Sequence, residues 1–441
     1  MPPEREASPF PTRRALLGTG AGLVAAAAVP GCAGARSGRE DERDAGGGPL
    51  AELGDRRGEV EPISPSERAA RRQRLGEILS GRGLDALLLE GGPTMRYLAG
   101  MSWGRSERFF GLVVLADGSH FWISPAFEEG RARLEVDGSA AAPGPGGEIV
   151  VWQEDEYFAR PLAAALERHG VERLAIEPSL RNGFAVRLEA VTGAERIDGP
   201  AGAEVVVALR ARKDEHELAI LRKANELTQL AIQTAARYLV PGMTGREIAG
   251  LVDKAHRNLG FSSPWNLSLI GPAAALHHGD PDERHLARGD LLLVDAGGEF
   301  QGYQSDQTRT WIFDGQPTAE IEKAWNAVRD AQLAAFEVTA PGVPCGDVDR
   351  AARAKLVELG FQGGYAEFTH RLGHGIGVEG HEDPYFDGGS TVALAPGMTL
   401  SNEPGLYFPG RFGVRLEDVV AITKDGAEHF GAWQSAPTSP A

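Results

Sequence analysis

Cysteine is almost absent from this chain. Cys32 and Cys345 are the only two in 441 residues, too few to support a disulfide framework. Positive charge is scarce as well: 45 Lys and Arg against 62 Asp and Glu leave a formal charge of −17, which argues against nucleic acid and anionic membrane surfaces as partners. The apolar stretch that ends at Val29 is too short for a full membrane span. The HExxH helix of zinc proteases is missing, no internal repeat is apparent, and Gly18 and Gly20 make no nucleotide loop because no strand precedes them. The apolar content that remains, 42%, is enough to bury two cores in a globular chain.

Against that background five potential metal ligands gather toward the C-terminus: Asp295, Asp306, His374, Glu403 and Glu417. Four carboxylates and one imidazole suit two divalent cations, with room left for a bridging hydroxide, the nucleophile of two-metal hydrolases. Each ligand sits in a segment that holds it still. Leu291 to Val294 is a continuous apolar run, as in a strand covered on both faces, and Asp295 is expected to end it before Gly297 and Gly298. A buried carboxylate there is costly unless paired or metal-bound. Past the turn-like Gly302, the run from Ser305 to Phe313 reads as the returning strand of a hairpin, with Asp306, Thr308 and Thr310 on one face. Pro404 biases Glu403 toward extended backbone. In Val414-Arg415-Leu416-Glu417-Asp418, alternation sets Arg415 and Glu417 opposite Val414 and Leu416, so Glu417 rather than Asp418 is expected to point inward.

His374 belongs to His370-Arg371-Leu372-Gly373-His374-Gly375-Ile376-Gly377. Three glycines in eight positions disfavour a helix and predict a loop or strand edge, where a metal and a substrate can approach closely. The neighbouring histidines can donate to a developing oxyanion. Bland roles compete. A buried Asp can be a structural partner of Arg309 or Arg415, and Arg415 is expected to orient a nearby carboxylate rather than touch substrate. His277 and His285 read as solvated, and Trp311 as core.

Four segments carry a family resemblance: DAGGEFQGYQSDQTRTW (295–311), HRLGHGIGVEGHEDP (370–384), SNEPGLYFPG (401–410) and GVRLED (413–418). In this order they resemble the dinuclear metallopeptidases of the pita-bread fold, a group that includes methionine aminopeptidase, Xaa-Pro aminopeptidase, prolidase and the metal-free creatinases. The Gly-Tyr-x-Ser-Asp-x-Thr-Arg-Thr run and the two-domain length resemble the proline-specific branch. The resemblance implies that Asp295 chelates one metal, Asp306 and Glu417 bridge both, and His374 and Glu403 bind the second, with Glu403 also taking the proton of the attacking water. It implies that His278 contacts substrate, His381 stabilises the tetrahedral intermediate and His370 lines the proline pocket. His277 stands where relatives often have proline, so which of the two adjacent histidines faces the site stays open. A homodimer and two divalent ions are implied, manganese first, with cobalt, zinc or iron open. The substrate implied is a peptide with proline at its second position. Aminopeptidase and dipeptidase remain inseparable, and creatinase-like or ectoine-hydrolase-like C–N hydrolysis stays a rival. A silent binding module of the same fold predicts lost ligands, and none is lost.

The N-terminus reads Thr12-Arg13-Arg14-Ala15-Leu16-Leu17, then an Ala/Gly-rich stretch, then Pro30-Gly31-Cys32. This predicts a twin-arginine export signal over 1–32. Its end resembles a bacterial lipoprotein box, with Cys32 lipidated and the protein facing the periplasm or cell exterior. A plain signal peptide cleaved near Ala28 or Ala33 is the competing reading. Residues 33–62, charged and Gly-rich, predict a flexible tether, with folded structure from Ser64. Helical and strand patterns then alternate to Val191, predicting an α/β domain over 63–208 that resembles the creatinase-type N-terminal domain. An α+β pita-bread catalytic domain over 209–435 follows, opening on two amphipathic helices at 214–238 and 244–259.

Overall fold

The apolar runs of the first folded half lie in a sheet covered on both faces. A computed structural model describes residues 50–138, 144–193 and 197–441. Among them β1 (Ala86–Glu90), β2 (Gly111–Leu115), β3 (His120–Pro125), β4 (Glu148–Trp152), β5 (Leu174–Ile176) and β6 (Ile197–Asp198) form a mixed sheet in the order β4-β3-β2-β1-β5-β6. The helices of this half are α1 (Pro65–Gly81), α2 (Pro93–Ala99), α3 (Glu129–Asp137), α4 (Ala159–Arg168), α5 (Asn182–Thr192) and α6 (Gly199–Arg210). Leu87 and Leu89 of β1 pack with Leu75 and Leu79 of α1 and Leu209 of α6. Ala86 and Leu88 turn the other way, toward Leu162 of α4 and Leu188 of α5. A period of two thus divides one strand between two cores.

The second half opens on α7 (Glu215–Ala236) and α8 (Gly245–Asn258), each started by a capping box, Asp214 with Glu217 and Thr244 with Glu247. Then come β7 (Ser262–Ile270), β8 (Leu291–Phe300) and β9 (Tyr303–Ile312), which form one antiparallel sheet. After α9 (Ala319–Val338) and α10 (Cys345–Glu358) the remaining strands are β10 (Gly373–Gly375), β11 (Glu382–Phe386), β12 (Thr399–Asn402), β13 (Gly405–Phe408), β14 (Phe412–Arg415), β15 (Asp418–Ile422) and β16 (Ala427–His429). A second sheet runs β11-β10-β12-β15-β16, and β13 pairs with β14. Leu291 and Leu293 of β8 pack toward Val328 of α9 and Val348 of α10, while Leu292 and Val294 pack toward Ile232 of α7 and Ile248 of α8. The strands that carry the candidate ligands are therefore clamped between helix layers, as expected of the pita-bread fold. The fold class is the expected one, an α/β creatinase-type domain followed by a pita-bread domain.

Several expectations need correction. The tether does not extend to residue 62: Leu50 and Leu53 are buried in the first core, and the Arg56 N–H donates to Leu259 O at 3.0 Å. Two apolar residues in a charged stretch are enough to seat it. α6 runs through the expected boundary at 208 and ends at Arg210; Asp198 caps it by accepting from Ala201 N–H at 2.9 Å. The catalytic half also extends past 435, since the Ile312 N–H donates to Pro437 O at 2.8 Å. The twin-arginine stretch and Cys32 lie outside the described residues. Among the described residues no helix is long and apolar enough to cross a membrane.

Candidate metal centre

β8 and β9 pair without interruption, from Leu291 opposite Ile312 to Phe300 opposite Tyr303. Gln301 and Gly302 close the hairpin with φ of 51° and 88°, the two positive values of a primed turn, and glycine takes the larger without strain. Asp295 then lies opposite Thr308, and Asp306 one diagonal step away opposite Gly297. Two acids share one face, as the alternation predicts. Asp295 does not end its strand, however; β8 continues five residues beyond it, paired with β7 and β9, and Asp295 itself has a cationic partner. Arg415 Nη2 meets Asp295 Oδ2 at 2.5 Å, Nε donates to Thr308 Oγ1 at 3.2 Å, and Nη1 donates to Tyr407 OH at 3.1 Å.

Glu417 reaches the hairpin from the segment between β14 and β15. Its N–H donates to Thr308 O at 3.1 Å, and Thr308 Oγ1 donates to Glu417 Oε2 at 2.7 Å. Glu417 is not the only one of the two adjacent acids to be buried. Asp418 is equally buried on the opposite side, paired with Arg309 Nη2 at 2.7 Å. The structural carboxylate partner of Arg309 is thus Asp418, and that of Arg415 is Asp295.

His374 and Glu403 come from the second sheet. β10 is no strand edge: it lies between β11 and β12. Gly373 makes this possible, since a Cβ there would fall 1.9 Å from Ser401 O. The Ser401 hydroxyl accepts from His374 N–H at 3.0 Å and donates to Glu403 Oε1 at 3.2 Å, so one side chain spaces both ligands. His374 Nδ1 faces Gly375 O at 3.1 Å. A carbonyl only accepts, so Nδ1 carries the proton. Nε2 then turns its lone pair toward Asp306 Oδ2 at 3.5 Å and Glu403 Oε1 at 3.4 Å.

Ligand atoms of Asp295, Asp306 and Glu417 lie within 4.8 Å of one another, as do those of His374, Glu403 and Glu417 and those of Asp306, His374 and His381. Asp306, His374 and Glu417 are each common to two groups. Burial raises the carboxyl of Asp306 well above the ordinary range, reinforced by Glu417 and Asp295, and does the same to Glu417, reinforced by Glu403 and Asp295. Burial pushes Glu403 up to about 7 against the opposing charge of Arg415, and it lowers His374 to about 3. Oδ1 of Asp295 and of Asp306 is buried without a partner, which costs about 1–3 kcal/mol per group. Four carboxylates face one buried guanidinium, two of their oxygens are orphaned, and a neutral imidazole offers its lone pair. This donor set fits divalent cations of the oxygen-preferring kind, and among the described residues no cysteine belongs to it.

Above the ligands opens a cavity of about 470 Å³. His277, His278, His370 and His381 all line it, with Trp265, Leu267 and Arg371. The question of the adjacent pair is answered by both histidines. His277, expected in solvent, is half-buried: Nε2 bonds Thr369 Oγ1 at 2.7 Å and its ring stands edge-on to Tyr407, centroids 4.2 Å apart. His278 lies at the exposed rim. His370 is deeper, lowered to about 3 by burial and by Arg415, with Nε2 accepting from Tyr407 OH at 2.8 Å. His285 stays away from the site, its side chain 62% exposed, and Trp311 is core, both as expected. Sequence reasoning missed Ser401 and Tyr407. Ser401 sits two residues before Glu403, a period-two signal for a shared face; Tyr407 in Gly405-Leu406-Tyr407-Phe408 reads only as apolar strand.

Comparison with known proteins agrees with this geometry. Residues 71–212 match the creatinase/prolidase N-terminal domain, and residues 219–424 match metallopeptidase family M24. The probable dipeptidase PepE of Mycobacterium tuberculosis is 34% identical over 353 residues, 78% of this chain and 89% of that protein. The Xaa-Pro dipeptidase of Pyrococcus horikoshii is 31% identical over 359 residues, 80% of this chain and 94% of that protein. Among solved structures, dipeptidase PepE from Mycobacterium ulcerans superposes with a TM-score of 0.77 at 29% identity, covering 86% of this chain and 99% of its own. The prolidase from Pyrococcus horikoshii OT3 superposes with a TM-score of 0.70 at 28% identity, covering 83% and 99%. With both domains matched and its ligand segments folded into one centre, the chain belongs to metallopeptidase family M24, whose enzymes use divalent metals.

Proposed function

We propose that this metallopeptidase is an exported dipeptidase that cleaves the bond before proline in Xaa-Pro dipeptides. One observation carries the reading: all five donors converge beneath a histidine-walled cavity, in a chain similar to a Xaa-Pro dipeptidase. Asp295 would chelate one cation, His374 and Glu403 the other, and Asp306 and Glu417 both. Two such cations supply Lewis acidity toward the scissile carbonyl and the attacking water, and the oxygen-rich, thiolate-free set favours manganese.

The side chains supply the rest. Glu403 accepts the proton of the attacking water and passes it to the departing prolyl nitrogen. His381 and His278, on the open side of the cavity, donate N–H to the developing oxyanion. His370 and Tyr407 form the wall against which the prolyl ring packs, and Arg415 keeps Asp295 turned inward. Arg371 supports a dipeptide over a longer peptide. Its guanidinium lies 4.0 Å over the Tyr385 ring at the cavity wall and has no carboxylate partner among the described residues, which suits the C-terminal carboxylate of a dipeptide. A homodimer lipidated at Cys32 and exported by the twin-arginine route completes the proposal, so that peptides are trimmed outside the cytoplasm.

Protein loaded with manganese should hydrolyse Xaa-Pro dipeptides faster than Xaa-Pro-Xaa peptides and leave small N-acyl compounds intact. Turnover of the N-acyl compounds alone would refute the peptidase substrate, and a preference for longer peptides would refute the dipeptidase assignment. Cys32→Ala should release the mature protein from the membrane fraction.

A further inference from the structure

The His381 side chain has little support of its own. It is exposed, its ring has no hydrogen bond among the described residues, and it rests on His374 with centroids 3.9 Å apart. Its position is set by the backbone on either side, and that backbone is gripped from outside the catalytic half. Arg96, in the last turn of α2, pairs with Glu299 of β8 and donates Nη2 to Val378 O at 3.2 Å. Arg210, the last residue of α6, meets Glu379 Oε2 and Glu382 Oε2 with one nitrogen at 2.5 Å each, and its other terminal nitrogen donates to Thr94 Oγ1 at 2.9 Å. Lys213 completes the cluster, Nζ to Glu382 Oε1 at 2.7 Å. Arg210, Lys213 and Glu382 are each less than a tenth exposed.

Two cations face two carboxylates, and all but the half-exposed Glu379 are buried. Such a cluster adds little net stability over apolar packing of the same volume. What it supplies is direction, because the planar Arg210 guanidinium fixes where its terminal nitrogens point, one at Thr94 and one at both carboxylates. Glu379 and Glu382 bracket His381 in sequence, and fixing both leaves the histidine little room to move. Arg96, Thr94 and Arg210 all lie within the segment matched as the N-terminal domain.

We infer that Arg210 is a positioning residue for catalysis: through Glu379 and Glu382 it holds His381 over the metal cluster, so the N-terminal domain sets the geometry of an oxyanion donor. The inference rests on the role given to His381 above. A misplacement of about 1 Å at such a donor costs about 100-fold in rate.

A double-mutant cycle in the full-length protein tests it. His381→Ala should lower kcat, and Arg210→Met should lower kcat by about 10- to 100-fold with metal content unchanged and KM little changed. Combining them should lower kcat no further than His381→Ala alone, and Arg210→Lys should restore part of the loss. If Arg210→Met fails to fold, the half-exposed Glu379→Gln removes one arm of the grip and should show the same non-additivity. Losses that multiply, or wild-type kcat in Arg210→Met beside a damaged His381→Ala, overturn the clamp alone. Wild-type kcat in His381→Ala overturns the role of His381 and the clamp with it.

Discussion

β1 and β9 are both buried strands, yet they are buried for opposite reasons. β1 reads Ala-Leu-Leu-Leu-Glu, and four of its five side chains need only apolar neighbours. β9 buries Ser305, Asp306, Gln307, Thr308, Arg309 and Thr310 in succession, and every one is polar. Burial of the first is driven by apolar area, about 25 cal/mol per Å². Burial of the second is tolerable only if each polar group finds a partner. Ser305 Oγ meets Thr228 Oγ1 at 2.7 Å, Gln307 meets Asn225 and Gln229, Arg309 meets Asp418, and Thr310 Oγ1 donates to Arg415 O at 2.7 Å. Asp306 alone keeps an oxygen unpartnered, and that oxygen belongs to the ligand cluster. In a strand where everything else is satisfied, the unsatisfied atom marks the site.

The largest effect should come from removing that atom. Asp306→Ala or Glu417→Ala is expected to lose one or both metals and more than about 100-fold in rate, measured by elemental analysis beside a dipeptide assay. The metal-free variant should be at least as stable as metal-free wild type, because one of four mutually repelling carboxylates is gone. Glu403→Gln should keep metal and lose rate. Full turnover by metal-depleted Asp306→Ala would contradict the assignment.

The contrast sharpens when one residue is cut from each strand. Arg309→Met leaves Asp418 buried and uncompensated, a loss of about 3–5 kcal/mol in unfolding free energy. Arg309 Nη1 also donates to Glu417 O at 2.8 Å, so metal affinity and kcat should fall along with stability. Leu88→Ala opens a cavity in the outer core of the N-terminal sheet at a comparable cost, about 2–5 kcal/mol. Its kcat per folded molecule should be unchanged. Equal catalytic damage from both would erase the distinction between the two strands.

How much of this was legible follows the same division. Asp295 stands out because a carboxylate ends an apolar run, Glu417 because alternation sets it opposite Val414 and Leu416, Glu403 because Pro404 follows it, and Asp306 because Gly302 and a period of two place it on the returning strand of a hairpin. The polar partners behind β9 do not stand out. Asn225, Thr228 and Gln229 look like the solvent face of an amphipathic helix, and only the approach of β9 some 80 residues later turns that face inward. Leu50 was hidden by charged neighbours, and α6 by its Gly-Pro-Ala-Gly opening. A local pattern reports which residues are odd; it does not report what a distant segment will supply to satisfy them.

A pH dependence should separate metal-bound from metal-free protein. The folded carboxyls of Asp306, Glu403 and Glu417 titrate above their unfolded values, Glu403 at about 7. Raised acids favour the fold below the unfolded value, and that advantage is lost as pH climbs through the folded one. Below about pH 6.5 the lowered His256, His370 and His374 pull the other way, so the loss is read above it, where chelated protein should melt at progressively lower temperature as pH climbs. Metal should hold the melting temperature up across the same range and release protons on binding, which calorimetry in buffers of different ionisation enthalpy would measure. A chelated protein whose melting temperature rises above about pH 6.5 would be incompatible with these shifts.

The smallest effect lies in the first core, where α1 begins. Ser64 accepts from Glu67 N–H at 3.2 Å, and Glu67 Oε2 accepts from Ser64 N–H at 2.8 Å. Glu67 Oε1 lies 2.6 Å from His216 Nδ1, while His216 Nε2 faces Glu61 O at 2.8 Å. Both partners are acceptors, so both ring nitrogens carry protons and His216 is an imidazolium. Its pKa is accordingly raised, chiefly by Glu67. A raised histidine stabilises the fold below its unfolded value, and that contribution is lost as pH rises through the folded one. The pair is partly exposed, so it is worth about 0.2–1 kcal/mol. This loss overlaps the carboxylate window in pH, but metal separates the two. Saturating metal should abolish the carboxylate part and leave the His216 part, and His216→Gln should remove only the latter. If melting of the metal-loaded protein is flat from pH 6 to 9 in wild type and His216→Gln alike, the imidazolium assignment fails.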